Sequence, residues 1–152
     1  MVVKDLLEIL TGFGFLTGSR AFGTFSEKSD YDIVFSVLDR ADVMLKCENH
    51  RFIQSDYFQG GKIKLDDGEI NLIFVHPHDF AVWFYATEAV KAILLKSGIK
   101  DRISKLALFE SFRGSLKGLL PRLKNIKAYE ELKLSLLGRE IVKSEKPEDL
   151  PF

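Results

Sequence analysis

Two short stretches hold residue types suited to phosphate chemistry: Gly18-Ser19-Arg20-Ala21-Phe22-Gly23 and, five residues later, Ser29-Asp30-Tyr31-Asp32. Gly18 lets the backbone approach a ligand closely, and the Ser19 hydroxyl, the Arg20 guanidinium and the free N–H groups of a turn are anion donors. Together they make a phosphate cradle. Asp30 and Asp32 stand two apart at the start of an expected strand, so both carboxylates project from one face and can share a cation. Hard oxygen ligands suit Mg²⁺ or Mn²⁺. Such an ion, with the cradle, would neutralise a phosphoryl group and hold the attacking and leaving oxygens in line. Taken singly, Gly-Ser is a turn and Asp-x-Asp a pair of solvent-facing caps. The joint pattern, in which a strand runs into Gly-Ser and a short spacer leads to Ser-Asp-x-Asp opening an apolar strand, points to a nucleotide site.

The elements that must position these residues follow from periodicity. Leu6, Leu7 and Leu10 fall at helical spacing over residues 3–10, and Thr11-Gly12 stops that helix. The apolar run Phe13 to Thr17 reads as a buried strand emptying into Gly18, and residues 21–28 as a linker or helical turn. Tyr31 to Leu38 reads as a second strand, rich in β-branched and aromatic residues. Asp39 is the expected cap of a helix through Ala41, Val43, Met44 and Leu45, a crossover of the kind that joins neighbouring strands. Phe52–Phe58, Lys62–Leu65 and Glu69–Val75, separated by Gln59-Gly60-Gly61 and Asp66-Asp67-Gly68, read as three antiparallel strands. The remainder is helical. Phe80, Trp83, Phe84, Thr87, Val90 and Leu94 form one apolar face, and Ile99, Ile103, Leu106, Phe109, Phe112 and Leu116 another. Pro121 precedes a last helix around Ile126 to Leu137. The expected architecture is α+β: a mixed sheet of about five strands with helices packed on it and a helical C-terminal layer. Residues 1–142 are read as one domain and residues 143–152 as a loosely ordered tail.

Composition supports an ordinary globular chain. Its 152 residues are 46% hydrophobic and 29% charged, which suffices for a core and excludes a disordered or fibrous chain. Lys plus Arg and Asp plus Glu are both 22, so the formal charge is zero and wholesale coating of nucleic acid is not expected. The lone Cys47 has no disulfide partner within the chain and reads as a buried thiol in a reducing compartment. No run approaches the length of a membrane span and the first residues lack a signal-peptide pattern, so a soluble cytoplasmic protein is expected.

With these residues in view, GSRAFG and SDYD resemble the signature of the nucleotidyltransferases of the DNA polymerase β superfamily: Gly-Ser, a downstream Gly, and Asp-x-Asp on the next strand. The Tyr-Phe-x-Gly-Gly hairpin, the Glu-Ile-Asn-Leu-Ile strand and the Phe-x-x-Trp helix extend the likeness over residues 13 to 115, toward small single-domain proteins of this kind often carried by bacteriophages. The resemblance implies a palm-like fold and transfer of a nucleoside monophosphate from an NTP to an acceptor hydroxyl, with pyrophosphate released. It implies that Gly18, Ser19, Arg20 and Ser29 hold the nucleotide and that Asp30 and Asp32 hold Mg²⁺ or Mn²⁺. The family supplies a third carboxylate from a later strand, where this chain has Asn71. An amide oxygen can meet a metal but takes up no proton. Glu69 shares the face of Asn71 at spacing two and is the substitute, or else a solvent-facing residue after the turn. Asn71 also motivates an alternative: a catalytically weak or inactive module that binds a nucleotide or a protein partner, as an antitoxin-like or inhibitory protein would.

His76-Pro77-His78-Asp79 packs two imidazoles and a carboxylate together, but reads better as a strand-to-helix connection with Asp79 as N-cap and His76 at the edge of the site. Trp83, Phe80 and Phe84 read as core. Lys62 and Lys64 alternate on one strand and either reach phosphates or are solvated edge charges. Residues 100–127 hold eight basic and two acidic side chains, including Arg102, Lys105, Arg113, Lys117, Arg122, Lys124 and Lys127. This is either a surface for an RNA or protein acceptor or a solvated helix face.

Overall fold

Alternate positions of Tyr31-Asp32-Ile33-Val34-Phe35-Ser36 point to opposite sides of a strand, and Ile33 and Phe35 are fully buried in a core that includes Leu72 and Phe74. That parity fixes Asp32 on the other face. The computed structural model describes residues 1–119 and, beyond them, Lys127, Glu130, Glu131 and Leu134, which are helical. The chain divides into two compact units, Met1–Arg20 with Phe25–Phe80, and Ala21–Thr24 with Ala81–Phe152.

In order, the elements are α1 (Val3–Leu10), β1 (Phe15–Thr17), α2 (Gly18–Phe22), β2 (Tyr31–Ser36), α3 (Arg40–Lys46), β3 (Arg51–Gln54), β4 (Gly61–Leu65), β5 (Gly68–Val75), α4 (Pro77–Ser97) and α5 (Arg102–Leu119). The fold is α+β, with one five-stranded mixed sheet in the order β1-β2-β5-β4-β3. Only β2 and β5 run parallel; the other neighbours are antiparallel. The chain leaving β2 through α3 does not enter a strand beside β2, as expected, but crosses to β3 at the far edge. The hairpins then bring β5 back to the slot next to β2. The physical reason lies in β5: Ile70, Leu72, Ile73, Phe74 and Val75 are all buried, so both faces of its C-terminal half are apolar and it belongs in the sheet's interior.

Within the first unit, Val3, Leu6 and Leu10 of α1 and Val43 and Cys47 of the α3 segment cover one sheet face, over Ile33, Phe35, Ile63, Ile70, Leu72 and Phe74. Phe35 and Phe74 stack at 5.3 Å. No side chain at Val2 caps α1; instead the Val3 N–H donates to Asp67 Oδ1 at 2.9 Å, so the β4–β5 turn closes the helix end. Asp39 does not make the expected cap bond. Ser36 does this work one turn earlier, its Oγ accepting from the Leu38 N–H at 3.2 Å and opening a 3₁₀ turn at Val37–Asp39. β3 stops at Gln54 rather than Phe58, because Tyr57–Gln59 tighten into a 3₁₀ turn in which Phe58 and Gln59 take φ of 50° and 53°.

Helix α4 starts with Pro77 in its first turn, where a missing N–H costs little. Asp79 therefore lies inside the helix and is not its cap; His76 Nδ1 accepts from the His78 N–H at 3.1 Å instead. In the second unit Phe22, Ala89, Val90, Ile93 and Leu94 share a core with Phe109, Phe112 and Leu116 of α5. The Ser104 N–H donates to Asp101 Oδ2 at 2.9 Å at the start of α5, and the bonds from Ser104 hold the Asp101 carboxyl below its usual range. Two expected core residues are corrected: Phe84 is 39% and Ile103 73% exposed. At about 100° per residue, Ile103 lies across the helix from the Phe109, Phe112 and Leu116 stripe, which continues backward to Lys105 and Arg102. Among the described residues no helix is long and apolar enough to cross a membrane. Of the expected last helix, 126–137, only the four residues named above are described, and the tail 143–152 lies outside the described residues.

Candidate functional site

β1 ends at Thr17, and the chain turns through Gly18, at φ +67°, directly into α2. A Cβ at that position would be strained by the φ and would lie 2.5 Å from Asp32 Oδ2. Glycine therefore lets the main chain of the turn lie against the Asp32 carboxylate, and the two halves of the motif meet there. Ser19, half-buried, follows in the first turn of α2, whose leading N–H groups have no acceptor within the helix.

The sheet register assembles the rest. Thr17, Asp32, Asn71 and Lys62 form one rung across β1, β2, β5 and β4 through the pairs Thr17 with Asp32, Asp32 with Asn71, and Asn71 with Lys62. Directly paired residues share a face, so all four project away from the core of Ile33 and Leu72. Glu69, two residues before Asn71, joins this face opposite Lys64. Asn71 Nδ2 donates to Asp32 Oδ1 at 3.1 Å. Lys62 Nζ lies 2.7 Å from Asp30 Oδ2 and 3.8 Å from Glu69 Oε2, while Lys64 Nζ lies 3.6 Å from Glu69 Oε1.

Electrostatics follow from this packing. Burial pushes the Asp32 carboxyl above its ordinary value; the bond from Asn71 opposes that, the neighbouring Asp30 charge adds to it, and Lys62 offsets part of it. The Lys62 ammonium is held above its ordinary value, first by its bond to Asp30 and against some desolvation. Cys47 is different in kind: burial alone pushes its thiol up to about 11, which leaves an inert core residue.

Arg20 has a role that its place beside Gly-Ser does not suggest. Its guanidinium is sandwiched between the rings of Phe25 and Tyr31, at 4.3 and 4.2 Å. Nε and Nη2 donate to the Ser29 carbonyl at 3.3 and 3.0 Å, and Nη2 also reaches the Glu27 carbonyl at 3.4 Å. Ser29 Oγ in turn accepts from the Ser26 N–H at 2.9 Å. Arg20 and Ser29 thus buckle the loop that delivers Asp30 to the sheet. Gly18, Asp30, Asp32, Glu69 and Asn71 are brought together. Lys62 is the residue underrated from sequence; the signal was its alternation with Lys64, and strand order was needed to set it beside Asp30.

His76 stands apart. It follows Asn71 by five residues along β5, on the order of 16 Å at strand rise, and both it and His78 are exposed. In the basic stretch, Arg102 Nε donates to the Thr24 carbonyl at 3.1 Å and Arg113 pairs with Glu110 at 3.7 Å. Arg122 and Lys124 lie outside the described residues.

Among the described residues no three His, Cys, Asp or Glu side chains converge as a ready-made metal cage. The Asp30 and Asp32 carboxylates do fit Mg²⁺ or Mn²⁺ in donor chemistry, since Mg²⁺ is commonly held by one or two carboxylates and completed by water and phosphate oxygens. Comparisons with protein-family models, curated proteins and solved structures returned no match to this chain.

Proposed function

We propose that this chain is a nucleotidyltransferase with the polymerase β palm-like fold, moving a nucleoside monophosphate from an NTP to an acceptor hydroxyl and releasing pyrophosphate. The observation that carries this reading is the close approach of the Gly18 turn to Asp32, which supports a phosphate cradle facing the Asp30 and Asp32 carboxylates. Gly18 and Ser19 receive the triphosphate through main-chain N–H groups and the hydroxyl. Arg20 and Ser29 position the loop bearing Asp30. Asp30 and Asp32 would hold the divalent ion, which when bound supplies Lewis-acid neutralisation of the phosphoryl oxygens. A bond forms between the acceptor oxygen and the α-phosphorus as the bond to the bridging oxygen breaks, and pyrophosphate carries away the electron pair. The acceptor proton passes to Glu69 or to water, because Asn71 takes up no proton. Net charge +6 over residues 100–127 supports a polyanionic acceptor such as RNA.

The test is incubation with each α-labelled NTP, Mg²⁺ or Mn²⁺, and RNA or protein acceptors, following label transfer and pyrophosphate release together. Transfer that disappears in Asp30→Ala/Asp32→Ala is the expected result; transfer retained in that double variant overturns it. A second reading, a module that binds nucleotide or a protein partner without turnover, is favoured by Asn71 in the third position and by Lys62 seated on Asp30. Stoichiometric nucleotide binding without pyrophosphate release is its signature.

A further inference from the structure

We propose that Lys62 is a tethered counter-cation of the carboxylate site, seated on Asp30 so that a divalent ion enters only by displacing the lysine ammonium. The inference rests on the nucleotidyltransferase reading and specifies how its metal site is loaded.

Three observations carry it. The ammonium is 2.7 Å from Asp30 Oδ2 and 3.8 Å from Glu69 Oε2, so it bridges two carboxylates as a small cation would. The register sets Lys62 beside Asn71 and Asn71 beside Asp32, so Lys62 reaches Asp30 from the same rung that carries Asp32. The charge balance is also altered: Asp30, Asp32 and Glu69 contribute −3, Lys62 and Lys64 return +2, and Asn71 is neutral. A face already close to neutral attracts a second cation weakly. Lys62 is 43% exposed and its four-carbon stem is flexible, so the ammonium can swing into water when an ion arrives. It then stands on the same sheet face as Asp32 and Glu69.

The experiment is titration of the whole chain with Mn²⁺ alone, following free Mn²⁺ by electron paramagnetic resonance. Removing one close cation from a partly solvated site is expected to tighten Mn²⁺ binding about tenfold in Lys62→Met. Lys62→Gln should repeat that gain, Lys62→Arg should stay near the parent, and Asp30→Asn in the Lys62→Met background should abolish it. Because the Lys62 side chain is 43% exposed and outside the core, all variants should still unfold in a single cooperative transition. Mn²⁺ binding by the parent that is no weaker than by Lys62→Met and Lys62→Gln overturns the counter-cation and leaves the metal site standing. Absence of millimolar Mn²⁺ binding in every variant overturns the metal site, and the inference with it.

Discussion

Asn71 Nδ2 donates to Asp32 Oδ1 at 3.1 Å across the parallel pairing of β2 and β5. The Asn71 amide thereby satisfies one oxygen of a half-buried acid. An acid at this position should therefore destabilise the protein in the absence of divalent ions. Asn71→Asp replaces a donor with a like charge beside Asp32, at a cost of about 1–3 kcal/mol near neutral pH. Thermal unfolding should show the loss without divalent ions and recovery of much of it with excess Mn²⁺. A variant as stable as the parent in both conditions would contradict this account of Asn71.

Gly18 is held by two independent constraints, its φ of +67° and the 2.5 Å approach of an added Cβ to Asp32 Oδ2. Gly18→Ala should cost about 1–3 kcal/mol in urea unfolding. It should weaken nucleotide binding by more than that loss of stability accounts for, because the displaced group is the Asp32 carboxylate. Unchanged nucleotide affinity in a folded Gly18→Ala protein would separate the turn from the site.

Much of the site was legible because its determinants are local. Alternation in YDIVFS put Asp32 opposite the core residues, and Asp66-Asp67-Gly68 marked the hairpin whose second strand bears Asn71. Strand order was not legible, since β5 joins β2 only after an excursion through β3 and β4, and with it went the pairing of Lys62 with Asp30. The loop contacts of Arg20 were not legible either: beside Gly-Ser it reads as a phosphate donor, and the aromatic rings that engage it, Phe25 and Tyr31, are five and eleven residues away. Nothing in residue type announces that Phe58 and Gln59 adopt left-handed backbone, a conformation that costs energy in a bulky residue and here is imposed by closing the β3–β4 connection.

The stacked guanidinium makes Arg20 a positioning residue whose loss loosens the segment Phe25–Asp30. Arg20→Ala should cost about 1–2 kcal/mol and Arg20→Lys most of that, because an ammonium lacks the planar fork that both stacks and donates to the Ser29 carbonyl. Hydrogen exchange should rise in residues 25–30 while β4 and β5 stay protected. Protection that is unchanged in this loop would show that Arg20 does not order it.

Asp32 also sets a pH dependence. Its folded carboxyl titrates above its unfolded one, so between the two values the folded state binds more protons than the unfolded state. Stability attributable to this group therefore falls as pH rises through that window, beginning at the ordinary aspartate range. The penalty is complete once pH exceeds the folded value. Asp32→Asn removes it while leaving an oxygen to accept from Asn71. The variant should match the parent in acid and exceed it in melting temperature at neutral pH in the absence of divalent ions. A parent that is equally stable or more stable than Asp32→Asn at neutral pH would mean that the Asn71 and Lys62 interactions outweigh desolvation of the carboxylate.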